Sequence, residues 1–178
     1  MRRTSFNDSN HAHFLTFSCY KRRQLLTSSE VCTILARTLD EARQRDDFAL
    51  YAYVFMPEHV HLLIHPRSDA YAMAAILRDI KEPFSRQLLQ LWRDTGDPWL
   101  QRSRVTAGKR TFHRVWQAGG GFDRNLYNHD AIRRAVAYIE HNPVRRGLVR
   151  EADKWEFSSA RARSGATDVL LSIDEWDG

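Results

Sequence analysis

Two histidines, His59 and His61, flank one apolar residue, Val60, inside a short apolar run. Because side chains alternate across a β-strand, both imidazoles of such a pair lie on one face of the sheet and Val60 lies on the other. Two neighbouring imidazoles on a buried strand cost free energy unless their nitrogens are satisfied, and a shared divalent cation satisfies them directly. The spacing therefore predicts a metal site; two hydrogen-bonded or exposed histidines are the alternative.

A third histidine, His65, lies on the same predicted face beyond Leu63. It raises the hypothesis of a zinc-dependent hydrolase that uses His59, His61 and His65. No H-x-x-E or C-x-x-C pattern lies nearby to complete such a site, which argues against this hypothesis.

Tyr138 and Asn142 are four residues apart in a segment with helical periodicity. They therefore share one helix face, next to the apolar stripe of Ile132, Val136 and Ile139. A helix packed by that stripe would hold both side chains at the margin of a cleft. The alternatives are a half-buried aromatic residue and a C-terminal helix cap.

The elements that must position these residues follow from apolar periodicity and turn signals. The predicted elements are a strand at 13–19, a helix that begins at the capping box of residues 27–30, hairpin strands at 50–56 and 59–65, a helix at 76–91 kinked at Pro83, a strand at 111–117 and a helix at 129–141. Residues 93–110 show no periodicity and are predicted to form a long functional loop. The order β-α-β-β-α-β-α predicts an α+β fold. It is a ferredoxin-like split β-α-β sandwich with a central antiparallel sheet, two helices on one face and the Tyr138 helix on the other.

The length of 178 residues is typical of one domain, predicted here as residues 1–160 followed by an acidic tail at 161–178. The longest apolar run falls far short of the roughly 20 residues that cross a bilayer, and the basic N-terminus lacks the apolar stretch of a secretory signal. Cys19 and Cys32 lack C-x-x-C spacing and are expected to be reduced thiols. These features predict a cytoplasmic protein without a membrane partner.

The net charge of +5 is unevenly distributed, since residues 101–150 hold 11 basic and 3 acidic side chains. Arginine supplies 23 of the 27 basic residues, and its planar guanidinium suits phosphates and base edges. This block favours nucleic acid as the partner over a merely solvated basic face. The predicted DNA-binding residues are Arg2, Arg3, Arg102, Arg104, Lys109, Arg110, Arg114, Arg145 and Arg146, and the candidate base-stacking residues are Trp99, Phe112 and Trp116.

Several segments together resemble the REP-associated tyrosine transposases, which belong to the single-tyrosine, His-hydrophobic-His (HUH) superfamily of DNA nucleases. The segments that carry the resemblance are 56–63 (MPEHVHLL), 115–117 (VWQ), 122–124 (FDR), 138–149 (YIEHNPVRRGLV) and 155–160 (WEFSSA). The resemblance extends in order over residues 14–160, and the 138–149 segment is its most specific part.

The resemblance implies a DNA endonuclease and strand transferase that acts on single-stranded or hairpin DNA of the REP type. Tyr138 would form a covalent 5′-phosphotyrosine link, and His59, His61 and Asn142 would hold one divalent cation, Mg²⁺ or Mn²⁺. The protein would act near the nucleoid as a monomer or a homodimer. The alternative is a domesticated hairpin-binding module that no longer cleaves DNA.

Overall fold

A four-stranded antiparallel sheet with helices on both faces dominates the computed structural model, which describes residues 11–176. The strands are β1 (Ala12–Ser18), β2 (Phe48–Met56), β3 (His59–Pro66), β4 (Arg104–Ala107), β5 (Arg110–His113) and β6 (Phe122–Leu126). The helices are α1 (Ser29–Arg45), α2 (Met73–Thr95), α3 (Trp99–Arg102), α4 (His129–Glu140), α5 (Asn142–Arg145) and α6 (Ser159–Arg163).

The central sheet has the strand order β2-β3-β1-β6, and β4 and β5 form a separate hairpin. Helices α1 and α2 cover one face, where a core that includes Leu62 and Phe84 is buried. Helix α4 covers the other face and packs against β2 and β3 through residues such as Ile139. The predicted sandwich, with two helices on one face and the Tyr138 helix on the other, is confirmed.

Helix α1 begins one residue later than the capping box predicts. Ser28 is the N-cap, and its hydroxyl accepts a hydrogen bond from the Val31 N–H at 3.3 Å. The predicted reciprocal pair of Thr27 and Glu30 is therefore wrong, because either Thr27 or Ser28 can cap a helix and the periodicity does not choose between them.

The predicted loop at 93–110 is wrong. Helix α2 continues through Pro83 to Thr95 and ends at Gly96, whose φ of 66° suits glycine. The chain then forms α3 and the β4–β5 hairpin. Most side chains of that hairpin are exposed, so it carries no buried apolar face that periodicity could reveal.

The predicted fourth strand at 111–117 is right only in part, since residues 111–113 are a strand but belong to the separate hairpin, and β6 completes the central sheet. The glycines at 119–121 precede this strand rather than end one. A Cβ on Gly121 would lie 2.1 Å from the Thr16 carbonyl oxygen, so only glycine allows the chain to approach β1 this closely.

The segment after α6 packs against the domain. Leu171 is buried in the core, and the Asp174 carboxylate pairs with Arg43 at 2.6 Å and with Arg67 at 3.0 Å. The boundary between a domain at 1–160 and a tail at 161–178 stays a prediction. Both cysteines are buried free thiols, and no helix within residues 11–176 is long and apolar enough to span a membrane.

Candidate active site

The two histidines of β3 face one cavity, as the strand alternation predicts. Both are 5% exposed, and their Nε2 atoms lie 3.0 Å apart. The Nδ1 atom of His61 lies 2.7 Å from Thr16 Oγ1 on β1, and Nδ1 of His59 lies 3.2 Å from Glu58 Oε1. Each imidazole therefore turns Nδ1 toward an oxygen of the protein and Nε2 toward the same point in the cavity.

Asn142 joins this point from the other side of the cavity. Its side-chain amide lies 3.2 Å from His61 Nε2, and the residue is 6% exposed. Asn142 opens α5, two residues beyond the end of α4 at Glu140, and Pro143 occupies the first turn of that short helix. The backbone at His141 stays in the right-handed helical region, and the Asn142 amide packs onto the histidines rather than forming a solvent-exposed helix cap.

Burial keeps both imidazoles neutral. It lowers the pKa of His61 to about 3, with a further contribution from the neighbouring His59. Burial also lowers the pKa of His59, although the Glu58 carboxylate opposes the shift. A neutral imidazole has a free lone pair for a cation, so the two Nε2 atoms are available as ligands near pH 7.

The donor set fits a divalent cation. Two ligand atoms bound at about 2.1 Å and at right angles are about 3.0 Å apart, which is the observed Nε2 separation of 3.0 Å. His59 Nδ1 and Glu58 Oε2 are buried without a hydrogen-bond partner among the described residues. With a proton on Nδ1, His59 could donate to Glu58 and leave Nε2 for the cation, an outer-shell arrangement that is common at metal sites.

Other metal-binding groups are absent from the part of the chain that the structure describes: no three His, Cys, Asp or Glu side chains converge there. The candidate set consists instead of two imidazoles and one amide. His65 does not join it, because its ring stacks on Tyr51 at 5.9 Å and lines a different cavity. The structure thus does not bring together the three histidines of the hydrolase hypothesis.

Tyr138 lies at the mouth of the same cavity and is 41% exposed. Its ring contacts the His61 ring edge to face at 5.7 Å, and the Arg145 guanidinium lies 4.7 Å from the ring centroid. The cavity has a volume of about 320 Å³. It is lined by Thr16, Arg22, His59, His61, Tyr138, Asn142, Arg145 and Arg146.

Helix α4 is fixed at both ends, which holds Tyr138 in register with β3. At its start the Asn128 side chain accepts a hydrogen bond from Ala131 N–H at 2.8 Å. At its end the buried Glu140 accepts hydrogen bonds from Ser159 at 2.8 Å and from Arg163 at 3.0 Å. Sequence reasoning missed this carboxylate anchor, because Glu140 reads as an ordinary polar helix residue.

Arg22 and Glu58 are two further site residues that sequence reasoning missed. The Glu58 carboxylate is buried between β2 and β3 and accepts hydrogen bonds from Arg22 and Arg146. Burial on its own would raise the pKa of Glu58, but His59 and Arg146 outweigh it and leave that pKa below its usual value. The signal for Glu58 was its place directly before His59, and Arg22 stood in a basic turn after β1.

The predicted DNA-binding residues divide into two groups. Arg145 and Arg146 line the cavity, whereas five others lie on or next to the β4–β5 hairpin, namely Arg102, Arg104, Lys109, Arg110 and Arg114. There the Arg102 guanidinium lies 5.3 Å from the Trp99 ring, and that of Arg114 lies 5.1 Å from the Phe112 ring. The remaining hairpin residues are Arg104, Lys109 and Arg110, which are exposed.

One candidate stacking residue is not on this surface. Trp116 is 7% exposed and packs against Phe17 and Phe84, so it belongs to the core rather than to a stacking surface. The arm residues Arg2 and Arg3 lie outside the described residues.

Comparisons with known proteins give consistent relatives. The family model described as "Transposase IS200 like" matches residues 7–104. A Haemophilus influenzae (strain Rd) protein named as a REP-associated tyrosine transposase is 29% identical over 135 residues, which cover 74% of this chain and 68% of the relative. The resemblance seen in the sequence is thereby confirmed.

Two solved structures are also similar. The structure of a REP-associated tyrosine transposase bound to a REP hairpin has a TM-score of 0.68 and 23% identity, over 100% of this chain and 92% of that chain. A Deinococcus radiodurans R1 protein named as a transposase has a TM-score of 0.49 and 17% identity, over 80% of this chain and 97% of that chain. The first of these supports the assignment of the fold.

Proposed function

This chain belongs to the IS200-like transposase family, and from that premise we propose that it is a single-strand DNA endonuclease and strand transferase acting at REP-type hairpins. The observation that carries the proposal is the convergence of Tyr138, His59, His61 and Asn142 on one cavity. The histidines come from β3, which lies far in sequence from α4 and α5, where Tyr138 and Asn142 lie. A phenol beside a cation-binding set is the minimal equipment for breaking a phosphodiester.

His59, His61 and Asn142 would hold one divalent cation, Mg²⁺ or Mn²⁺. Mixed nitrogen and oxygen ligands suit both ions, and imidazole favours Mn²⁺. When bound, the cation would supply Lewis-acid polarisation of a non-bridging phosphate oxygen. The chain itself supplies the orientation, because Thr16 Oγ1 is hydrogen-bonded to His61 Nδ1 and the Glu58 carboxylate lies 3.2 Å from His59 Nδ1.

Tyr138 would attack the phosphorus with its phenolic oxygen. The new bond joins the phenolic oxygen to the phosphorus, which stays attached to the 5′ oxygen of the downstream fragment. The bond between the phosphorus and the 3′ oxygen of the upstream fragment breaks. The phenol loses one proton, and the departing 3′ oxygen gains one to become a hydroxyl. The ester energy is kept in the phosphotyrosine, so a second 3′-hydroxyl could reverse the step and join strands. The 41% exposure of Tyr138 leaves room for a strand to reach it.

The basic surface would hold the remainder of the DNA. Arg102, Arg104, Lys109, Arg110 and Arg114 would track the phosphates of a hairpin stem, and Arg145 and Arg146 would contact the strand at the cavity. Trp99 is half-buried beside Trp92, and Phe112 is partly exposed, so the exposed edges of both could stack on unpaired bases. Arg2 and Arg3 would extend this surface, and the protein would act in the cytoplasm beside the nucleoid.

The direct test is a denaturing gel with single-stranded hairpin DNA labelled at either end, in Mn²⁺ and in EDTA. We expect a covalent protein–DNA band in Mn²⁺ that carries the label of the 3′ fragment. Tyr138→Phe should abolish the band and keep hairpin affinity within about 2-fold. Tyr127→Phe is the matched control, since Tyr127 is 72% exposed and lines another cavity.

Two results would reject the proposal. A band that persists in Tyr138→Phe would exclude Tyr138 as the nucleophile. Hairpin binding without any band across a panel of REP-type sequences would favour the non-cleaving module.

A further inference from the structure

Arg22 lines the candidate site but has no role in the function proposed above, and Glu58 has only its place beside His59. Arg22 Nη2 and Arg146 Nη1 both donate to Glu58 Oε1, each at 3.1 Å. Arg22 lies in the turn after β1, Glu58 between β2 and β3, and Arg146 just beyond α5. One carboxylate thus joins three segments around a single cavity.

The three side chains differ in exposure. The Glu58 side chain is 6% exposed, whereas those of Arg22 and Arg146 are 61% and 50% exposed. A guanidinium has five N–H donors, so each arginine can bind Glu58 with one edge and present its other donors to the cavity. The cluster carries two positive charges against one negative, which leaves it attractive to a phosphodiester.

The backbone that delivers Arg22 is strained. Lys21 and Arg22 have φ angles of 55° and 52°, in the left-handed region that non-glycine residues rarely adopt. The turn is held there by hydrogen bonds from Cys19 N–H to Glu58 O at 2.9 Å and from Leu26 N–H to Pro57 O at 3.0 Å. Such strain persists where surrounding structure enforces it, and here it places Arg22 over Glu58.

We propose that Arg22 and Arg146 form a phosphate-binding pair for the DNA strand in the cavity, and that Glu58 is a positioning residue that holds the two guanidinium groups. The inference rests on the proposed function, since the phosphate belongs to the strand that Tyr138 attacks. It adds Arg22 as a group that touches the substrate. It also gives the buried Glu58 carboxylate a purpose beyond orienting His59.

The test uses binding rather than cleavage. In the Tyr138→Phe background, the affinity is measured for a panel of hairpin oligonucleotides, each with one phosphate replaced by a neutral methylphosphonate. Arg22→Ala should weaken binding of the unmodified strand by about 10-fold. With the methylphosphonate at the position that Arg22 contacts, the same variant should weaken binding by less than about 2-fold.

Lys21→Ala is the matched control. It removes one positive charge from the same strained turn, and Lys21 does not line the cavity. We expect its small effect to be the same for every oligonucleotide. Arg22→Lys should restore part of the lost affinity, because it returns the charge without the planar fork.

Glu58 is tested by its effect on this coupling. Glu58→Ala should reduce the position-specific effect of Arg22→Ala, and Glu58→Gln, which keeps an acceptor oxygen, should restore most of it. Thermal unfolding of each variant shows that the comparison is made between folded proteins.

The proposed phosphate-binding pair is contradicted if Arg22→Ala and Lys21→Ala behave alike at every methylphosphonate position. It is also contradicted if Glu58→Ala leaves the position-specific effect of Arg22→Ala unchanged. The absence of a covalent band in the wild-type protein would instead reject the proposed cleavage. The two failures are therefore separate results.

Discussion

Alternate positions of β3 bury two different kinds of side chain, apolar groups toward one face of the sheet and imidazoles toward the other. Val60, Leu62 and Ile64 point to the α1 and α2 side and are at most 1% exposed in an apolar core. His59 and His61 are nearly as buried on the other face, at 5% each. Burial of apolar groups stabilises the fold, whereas burial of imidazoles costs free energy unless their nitrogens are satisfied. The apolar positions explain why the protein folds, whereas the two buried imidazoles require a reason other than folding.

The largest expected effect is a loss of activity when a histidine of β3 is replaced. His61→Ala should lower the rate of covalent DNA adduct formation by at least about 10³-fold, because it removes a cation ligand. Its unfolding free energy in EDTA should change by less than about 1 kcal/mol, since the lost imidazole was itself costly to bury. Adduct rates on gels and urea unfolding give the two values. A variant that keeps its adduct rate would remove His61 from the metal site.

The neighbouring residue should show the reverse. Leu62→Ala should lower the unfolding free energy by about 3 kcal/mol, because it opens a cavity in the α1 and α2 core. Adduct formation at low temperature, where the variant stays folded, should remain within about 3-fold of the wild type. An activity loss as large as that of His61→Ala in a folded Leu62→Ala protein would contradict the division between the faces.

The pH dependence of stability sharpens the same contrast. Burial lowers the pKa of His61 to about 3, whereas the unfolded chain binds a proton near the ordinary value of about 6.5. The unfolded state therefore gains protons first as the pH falls, and stability is lost below about 6.5. One such group gives a loss of about 2 kcal/mol between pH 7 and pH 5 in EDTA. His61→Asn should show a shallower slope over this window in urea unfolding, and an unchanged slope would contradict the assignment.

The smallest effect concerns the exposed β4–β5 hairpin. Removing Arg104 and Arg110 together should reduce the slope of log affinity for hairpin DNA against log salt by about 1.5. Affinity itself should fall severalfold near physiological salt. Fluorescence anisotropy at several salt concentrations measures both quantities. Arg45→Ala on α1 is the control for loss of positive charge. If Arg45→Ala reduces the slope as much as the loss of Arg104 and Arg110 does, the hairpin is not part of the DNA-binding surface.

A structural feature can be predicted from this sequence when the pattern that indicates it lies within one short segment. Strand alternation placed His59 and His61 on one face, and helix periodicity placed Tyr138 and Asn142 beside the apolar stripe, because both patterns are properties of short segments. The split β-α-β order then followed from the sequence of such segments.

The errors lie where local patterns are weak. Strand β6 has the sequence FDRNL, with three polar residues and few β-formers, and its place beside β1 depends on the close approach at Gly121. The β4–β5 hairpin has mostly exposed side chains. Arg22, Glu58 and Arg146 meet only because three distant segments fold together, and no spacing in the sequence records those contacts.

The most direct test of the site is mass spectrometry of the covalent product. The wild-type protein is allowed to react with a REP-type hairpin in Mn²⁺, the DNA is trimmed by nuclease, and the digested peptides are sequenced. We expect a nucleotide joined through its 5′-phosphate to the peptide that contains Tyr138. Attachment at Tyr127 or at any other side chain would contradict the assignment of Tyr138 as the nucleophile.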